Sequence, residues 1–166
     1  MAIVSLRYRF QQSFRVPARA AFGWCTDFGP ADGPLLSKGT VRSVRRLTDD
    51  TLILTDTTRP RGRRLRIQRL VRIDPVHLAW TNTHLDGPYR HSQYWYRIVP
   101  DGPGRSHLEF DGLRLVHSAR PGSATVQAER ERQSDARTWR ERLAPALERD
   151  LATAPGGRRK PGRRGR

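Results

Sequence analysis

Between residues 40 and 116 the chain is a succession of short segments whose apolar side chains recur every second residue, each closed by a turn. That period places alternate residues on opposite faces of a strand, and tight turns between strands make neighbours antiparallel. The segments are Thr40–Leu47, Thr51–Thr57, Arg63–Ile73, Val76–His84, Tyr89–Val99 and Ser106–Val116. Thr48-Asp49-Asp50, Arg59-Pro60-Arg61-Gly62, Asp74-Pro75, Asp86-Gly87-Pro88 and residues 100–104 punctuate them with turn-forming residues. A seventh strand is expected over Leu6–Val16, with Leu6, Tyr8, Phe10, Phe14 and Val16 on one face and Arg7, Arg9, Gln11, Ser13 and Arg15 on the other. Pro17 stops its ladder and suits the first turn of a short helix reaching Phe28. Ala20, Ala21, Phe22, Trp24 and Cys25 give that helix an apolar side, and Gly29, Pro30, Gly33 and Pro34 return the chain to loop.

A sheet with one apolar face needs a cover. Ser123–Ala152 contains no glycine and carries Trp139, Leu143, Leu147 and Leu151 at steps of four, with Ala128 and Ala136 extending the same side. This predicts an amphipathic helix of roughly 45 Å. Ser123 is its expected N-cap, and Pro145 should bend it or break its hydrogen-bond ladder locally. The resulting architecture is α+β: a curved seven-stranded antiparallel sheet wrapped around a long C-terminal helix, with a short helical segment after the first strand. Residues 1–153 form one domain, and 154–166, which hold six basic and no acidic or large apolar residues, are expected to be a disordered basic tail.

The net charge of +16 is uneven: residues 38–73 hold eleven basic and three acidic residues, and nearly all the basic ones are arginine. Arginine suits bidentate phosphate contacts. Arg59, Arg61, Arg63 and Arg64, with Arg158, Arg159, Lys160, Arg163, Arg164 and Arg166 of the tail, could contact nucleic acid, a ribosome or an anionic surface. Arg42, Arg46, Arg64, Arg66 and Arg72 are expected on the outer face of neighbouring strands. A solvated face that guards the sheet edges accounts for the same residues, and arginine bias also follows from coding composition.

Cys25, the single cysteine, excludes an intramolecular disulfide and is expected as a small buried residue. No Cys/His cluster has metal-ligand spacing, so neither metal nor cofactor is expected. No phosphate-binding loop, nucleophile elbow or dinucleotide fingerprint occurs. No apolar run reaches membrane-spanning length, and Arg7, Arg9 and Arg15 interrupt any signal-peptide core. A reducing, cytoplasmic setting is the expectation.

The opening strand ending Phe14-Arg15-Val16-Pro17-Ala18, the following Ala21-Phe22-Gly23-Trp24-Cys25-Thr26-Asp27-Phe28, and the order of elements resemble the START-related superfamily, also called SRPBCC. This superfamily includes polyketide cyclases, lipid-transfer domains and birch-pollen-allergen-like proteins, and the resemblance covers about residues 4–152. It implies a helix-grip fold with a cavity for apolar small molecules between sheet and helix. It implies no single activity.

On that fold Trp80, Tyr94, Tyr96 and Phe110 are expected to line the cavity, since tyrosine and tryptophan combine apolar area with a polar tip. Core packing on a sheet explains the same residues. Arg69 interrupts the apolar face formed by Leu65, Ile67, Val71 and Ile73. It must meet an anionic ligand group, be rotated outward by a bulge, or be neutralised by Glu109 or Asp111. His84 and Asn82 are candidates for general base and carbonyl polariser in a cyclase-like or dehydratase-like reaction. The leading expectation is binding or transport of a lipid, isoprenoid or polyketide-like molecule. The alternatives are a cyclase or dehydratase using the same cavity, and a nucleic-acid or ribosome contact.

Overall fold

The computed structural model describes residues 3–117 and 124–153. The expected N-cap Ser123 and the tail 154–166 lie outside the described residues. Seven strands form one antiparallel sheet: β1 (Ile3–Phe14), β2 (Val41–Arg46), β3 (Thr51–Thr58), β4 (Leu65–Asp74), β5 (Ala79–His84), β6 (Gln93–Pro100) and β7 (Ser106–His117). Their order is β1-β7-β6-β5-β4-β3-β2. The meander thus runs from β2 to β7, and β1 closes it by pairing with β7 along twelve residues.

The inner face carries Leu6, Tyr8, Phe10 and Phe14 of β1, Leu108 and Phe110 of β7, Tyr94 and Ile98 of β6, Trp80 of β5, Val71 of β4 and Leu52 and Leu54 of β3, all buried. Between β1 and β2 the chain crosses the sheet through α1 (Ala18–Thr26), a 3-10 turn (Pro30–Asp32) and α2 (Gly33–Leu36). The expected 29–34 loop is therefore partly helical. Gly33 fits its place because an added Cβ would come within 2.7 Å of the Thr40 carbonyl oxygen.

The cover is α3 (Ala124–Thr138), a π-helical turn (Trp139–Leu143) and α4 (Ala144–Ala152). The break expected at Pro145 takes this form. Proline supplies no backbone N–H to the ladder, and the Ala144 N–H bonds the Trp139 carbonyl five residues back. The wider turn rotates less per residue than an α-turn. This helps residues four apart keep one bearing, and Trp139, Leu143 and Leu147 are all buried. α3 contributes no buried residue.

Four strands begin later than their alternation suggests, β2 by one residue, β4 by two, β5 by three and β6 by four. Leu78 (φ 50°) and His91 (φ 71°) take left-handed conformations that end the turns before Ala79 and Gln93. The Asp74 carboxylate accepts from the Val76 and His77 backbone N–H groups, each at 3.1 Å, and holds the first turn.

Arg42 is a correction. It was expected on the outer face, but it points inward and is buried. Register decides this: Arg42 lies opposite Asp56 and Val44 opposite the buried Leu54, so both face the helix; Arg46, also expected on the outer face, shares their parity opposite Leu52 but is exposed at the strand end.

Candidate functional site

Two adjoining compartments lie between the sheet and the helical layer. One, of about 100 Å³, is bounded by Trp24, Phe28, Trp80, Asn82 and Leu54. The other, of about 200 Å³, is bounded by Ile67, His84, Tyr89, Tyr94, Phe110 and Arg114. Arg69, Tyr96, Trp139, Leu143 and Leu36 line both. Trp80, Asn82 and His84 are brought together because they alternate along β5, while Tyr94 and Tyr96 stand opposite Asn82 and Trp80 across the β5–β6 pair. Trp80 and Tyr96 stack with ring centroids 4.8 Å apart and planes 2° apart. Phe110 stacks on Phe10 at 4.5 Å. Gly112 leaves room for these rings, since a Cβ there would lie 2.8 Å from the Phe110 ring and 3.0 Å from Tyr94.

Two ionic clusters, the first buried and the second part-buried, flank this aromatic wall. In the first, Asp56 accepts from Arg42 Nε at 2.7 Å and Arg42 Nη2 at 2.9 Å, and also from Arg69 Nη2. Asp32 lies 3.9 Å from Arg42. Burial lowers the Arg69 pKa to about 10, helped by the nearby Arg42 charge, so its guanidinium stays charged at neutral pH. No bulge turns Arg69 outward, because β4 keeps unbroken register with β3 and β5. Neither carboxylate expected to neutralise Arg69 does so. Asp111 pairs with Arg7 and Arg9, and Glu109 with Arg97, on the outer face.

In the second cluster Arg114 donates through Nε to the Tyr94 hydroxyl at 2.9 Å and through Nη1 to Glu131 of α3. Its guanidinium carbon lies 4.3 Å from the Tyr89 ring centroid. The Tyr8 hydroxyl donates to Asp135 at 2.6 Å. Burial raises the Asp135 pKa against the pull of Tyr8 and Arg114. Burial also raises the pKa of the Tyr94 and Tyr96 hydroxyls, which remain neutral.

Between the clusters, Arg69 Nε, Asn82 Oδ1 and His84 Nδ1 are buried and have no hydrogen-bond partner among the described residues. His84 is not an exposed strand-end residue. Burial, then the Arg69 and Arg114 charges, lower its pKa to about 3, so it is neutral at pH 7.

All seven residues singled out from the sequence (Trp80, Tyr94, Tyr96, Phe110, Arg69, Asn82 and His84) line one or both compartments. Asp56, Arg42, Arg114, Asp135 and Tyr8 were missed. Asp56 and Arg114 carried a readable signal: each continues an alternating apolar face, after Leu52 and Leu54 and after Leu108 and Phe110. Cys25 is buried, as expected. No group of metal-ligating side chains is assembled among the described residues. No described helix is long and apolar enough to cross a membrane.

A seven-stranded antiparallel sheet gripping a C-terminal helix around such a cavity is the helix-grip fold of START-like proteins. Solved structures bear this out. The ZhuI aromatase/cyclase from Streptomyces sp. R1128 superposes with a TM-score of 0.70 at 13% identity, over 93% of this chain and 100% of that one. Norcoclaurine synthase from Thalictrum flavum, in complex with dopamine and hydroxybenzaldehyde, gives 0.67 at 13% identity over 93% and 91%. A START superfamily protein from Mycobacterium smegmatis gives 0.63 at 18% identity over 89% and 97%. No protein-family model matches the sequence, and no curated protein matches it.

Proposed function

We propose that the protein binds a small, planar, amphipathic molecule of polyketide-like or isoprenoid character in the two compartments. The observation carrying this reading is the set of three unpartnered buried polar atoms in an aromatic cavity. A buried donor or acceptor left unmade costs about 1–3 kcal/mol, and a ligand carrying both a carbonyl and a hydroxyl would satisfy them. The carbonyl would accept from Arg69 Nε, and the hydroxyl would donate to Asn82 Oδ1 or to His84. Asp56 and Asp32 already balance Arg42 and Arg69. That balance favours a neutral hydrogen-bonding ligand over a strong anion. The aromatase/cyclase and START superfamily neighbours agree with the reading at the level of fold.

The cyclase reading is second. A general base works best with a pKa near the operating pH, whereas His84 is pushed down to about 3. His84 therefore orients a bound carbonyl or hydroxyl in preference to removing a proton.

The test is native mass spectrometry of protein purified from its own host, followed by titration with a hydroxylated naphthoquinone. Quenching of Trp80 and Trp139 emission reports occupancy. Saturable quenching that weakens at least tenfold in Arg69→Met, with the fold intact by circular dichroism, supports the proposal. No bound molecule and no saturable quenching by the quinone would overturn it. Turnover lost in His84→Gln with binding retained would move the assignment to the cyclase reading.

A further inference from the structure

The two ends of the sheet differ in charge. At one end lie the loops 37–40, 59–64 and 85–92, which hold six basic residues (Lys38, Arg59, Arg61, Arg63, Arg64 and Arg90) against one acid, Asp86. Register puts these loops together: Val41 pairs with Thr57, Thr58 with Leu65, and Arg69 with His84. At the other end, the turns 15–17, 47–50, 74–78 and 101–105 hold Asp49, Asp50, Asp74 and Asp101 against Arg15 and Arg105, with exposed Arg45 and Arg46 just before the second of them. All six cations of the basic end are exposed. Among the described residues none of them forms an ion pair, unlike Arg7, Arg9, Arg42, Arg69, Arg97 and Arg114.

The larger compartment reaches this basic end. Leu36 leads into the 37–40 loop, Ile67 follows the 59–64 hairpin, and Tyr89 belongs to the 85–92 loop, and all three are half-buried lining residues. Apolar side chains stand among the cations: Val41 is 71% exposed and Leu85 41% exposed. The hairpin tip passes through left-handed conformations at Arg61 (φ 51°) and Gly62 (φ 79°).

We propose that this end of the sheet docks on an anionic lipid surface, with the cavity facing the bilayer. Clustered Lys/Arg side chains are attracted to acidic headgroups, and neighbouring apolar side chains enter the boundary layer. The far end, where acids and arginines nearly balance, has no comparable attraction to the membrane, and this difference orients the molecule. Lipid is favoured over nucleic acid because Val41 and Leu85 are exposed among these arginines, whereas Tyr89, the one Phe, Tyr or Trp in these loops, is half-buried with its face covered by Arg114. Docking there would let an amphipathic guest pass between bilayer and cavity without crossing water. This purpose rests on the proposed ligand binding, but the docking itself does not.

The test is co-sedimentation of the full chain with phosphatidylcholine vesicles and with phosphatidylcholine–phosphatidylserine vesicles. Each basic residue at the surface strengthens binding about fivefold at low salt. Changing Arg59, Arg61, Arg63 and Arg64 together to Gln should therefore weaken binding to the acidic vesicles on the order of a hundredfold or more. A control with Arg97, Arg130, Arg137 and Arg140 changed to Gln removes the same charge elsewhere and should retain most binding. Circular dichroism checks that both variants fold. Failure of the wild type to bind acidic vesicles, equal binding to both vesicle types, or equal losses in the two variants would overturn the proposal. Binding to RNA under conditions where acidic vesicles are not bound would overturn it in favour of a nucleic-acid contact. None of these readouts depends on the cavity being filled, so docking can fail while the ligand reading stands, and the reverse.

Discussion

Replacing Asp56 by Ala would remove one carboxylate from between two buried guanidiniums. The Arg42 side chain is only 4% exposed, and that of Arg69 is 15% exposed. Breaking a buried ion pair from one side leaves an uncompensated charge and costs about 3–5 kcal/mol. Asp32 stays 3.9 Å from Arg42 and retains part of one pairing, while Arg69 keeps no carboxylate within ion-pair distance. At about 2–4 °C per kcal/mol for a domain of this size, Tm should fall by roughly 6–20 °C. Urea denaturation should show a lower midpoint with an unchanged slope, the signature of a stability change alone. Substituting Asp32→Asn, Arg42→Met, Asp56→Leu and Arg69→Met together removes both guanidiniums and both carboxylate charges at once. That quadruple variant should lie within about 2 kcal/mol of wild type, because apolar replacement of a whole buried ionic group is often neutral or better. The reasoning fails if Asp56→Ala costs less than about 1 kcal/mol, or if the quadruple variant is as unstable as the single one.

Three further outcomes follow from the same cavity. Gly112→Ala should destabilise by about 1–3 kcal/mol through overpacking against Phe110 and Tyr94, measured by chemical denaturation. His84 is depressed in the fold from 6.5 to about 3, so the unfolded chain binds the extra proton between those values. Its contribution is complete above pH 6.5 and is lost as pH falls toward 3, at about 1.4 kcal/mol per pH unit; His84→Gln should flatten the acid limb of the stability curve by that slope. Tyr8→Phe removes the hydrogen bond to Asp135 and should cost about 1–3 kcal/mol, whereas Tyr8→Phe with Asp135→Asn should not double that loss in a double-mutant cycle.

The sheet was legible because alternation survives in nearly every strand, and turn residues mark its corners. β2 was the exception. Its two valines, Val41 and Val44, have opposite parity, so its own sequence leaves the inward face undefined and Arg42 ambiguous. Only pairing with β3 resolves it. Arg69 stood out because its neighbours at two-residue spacing are leucine, isoleucine and valine. Asp56 continues the face of Leu52 and Leu54 in the same way, but Thr51, Thr55, Thr57 and Thr58 give its strand a polar cast that masks the interruption. The Arg42–Asp56–Arg69 bridge depends on three strands meeting in one register, and Arg114–Glu131 and Tyr8–Asp135 on where α3 crosses the sheet. No local period encodes such distances. Asp135 was hidden further because α3 is polar all round, so its inward face leaves little hydrophobic trace.

The π turn makes the C-terminal segment sensitive to length as well as to composition. An α-helical residue advances the side chains by about 100°, and a π turn is an α-helix carrying one residue more than its ladder needs. Closing the ladder as ordinary α-helix with every residue kept, or inserting one residue more, would carry everything beyond it about 100° further round. Leu147 would then leave the core, and Asp150 would leave the Trp24 indole to which it is bonded at 3.0 Å. Deleting a single residue between Trp139 and Leu143 removes the surplus instead, so the end of the cover keeps its bearing, whereas an insertion there would unseat it.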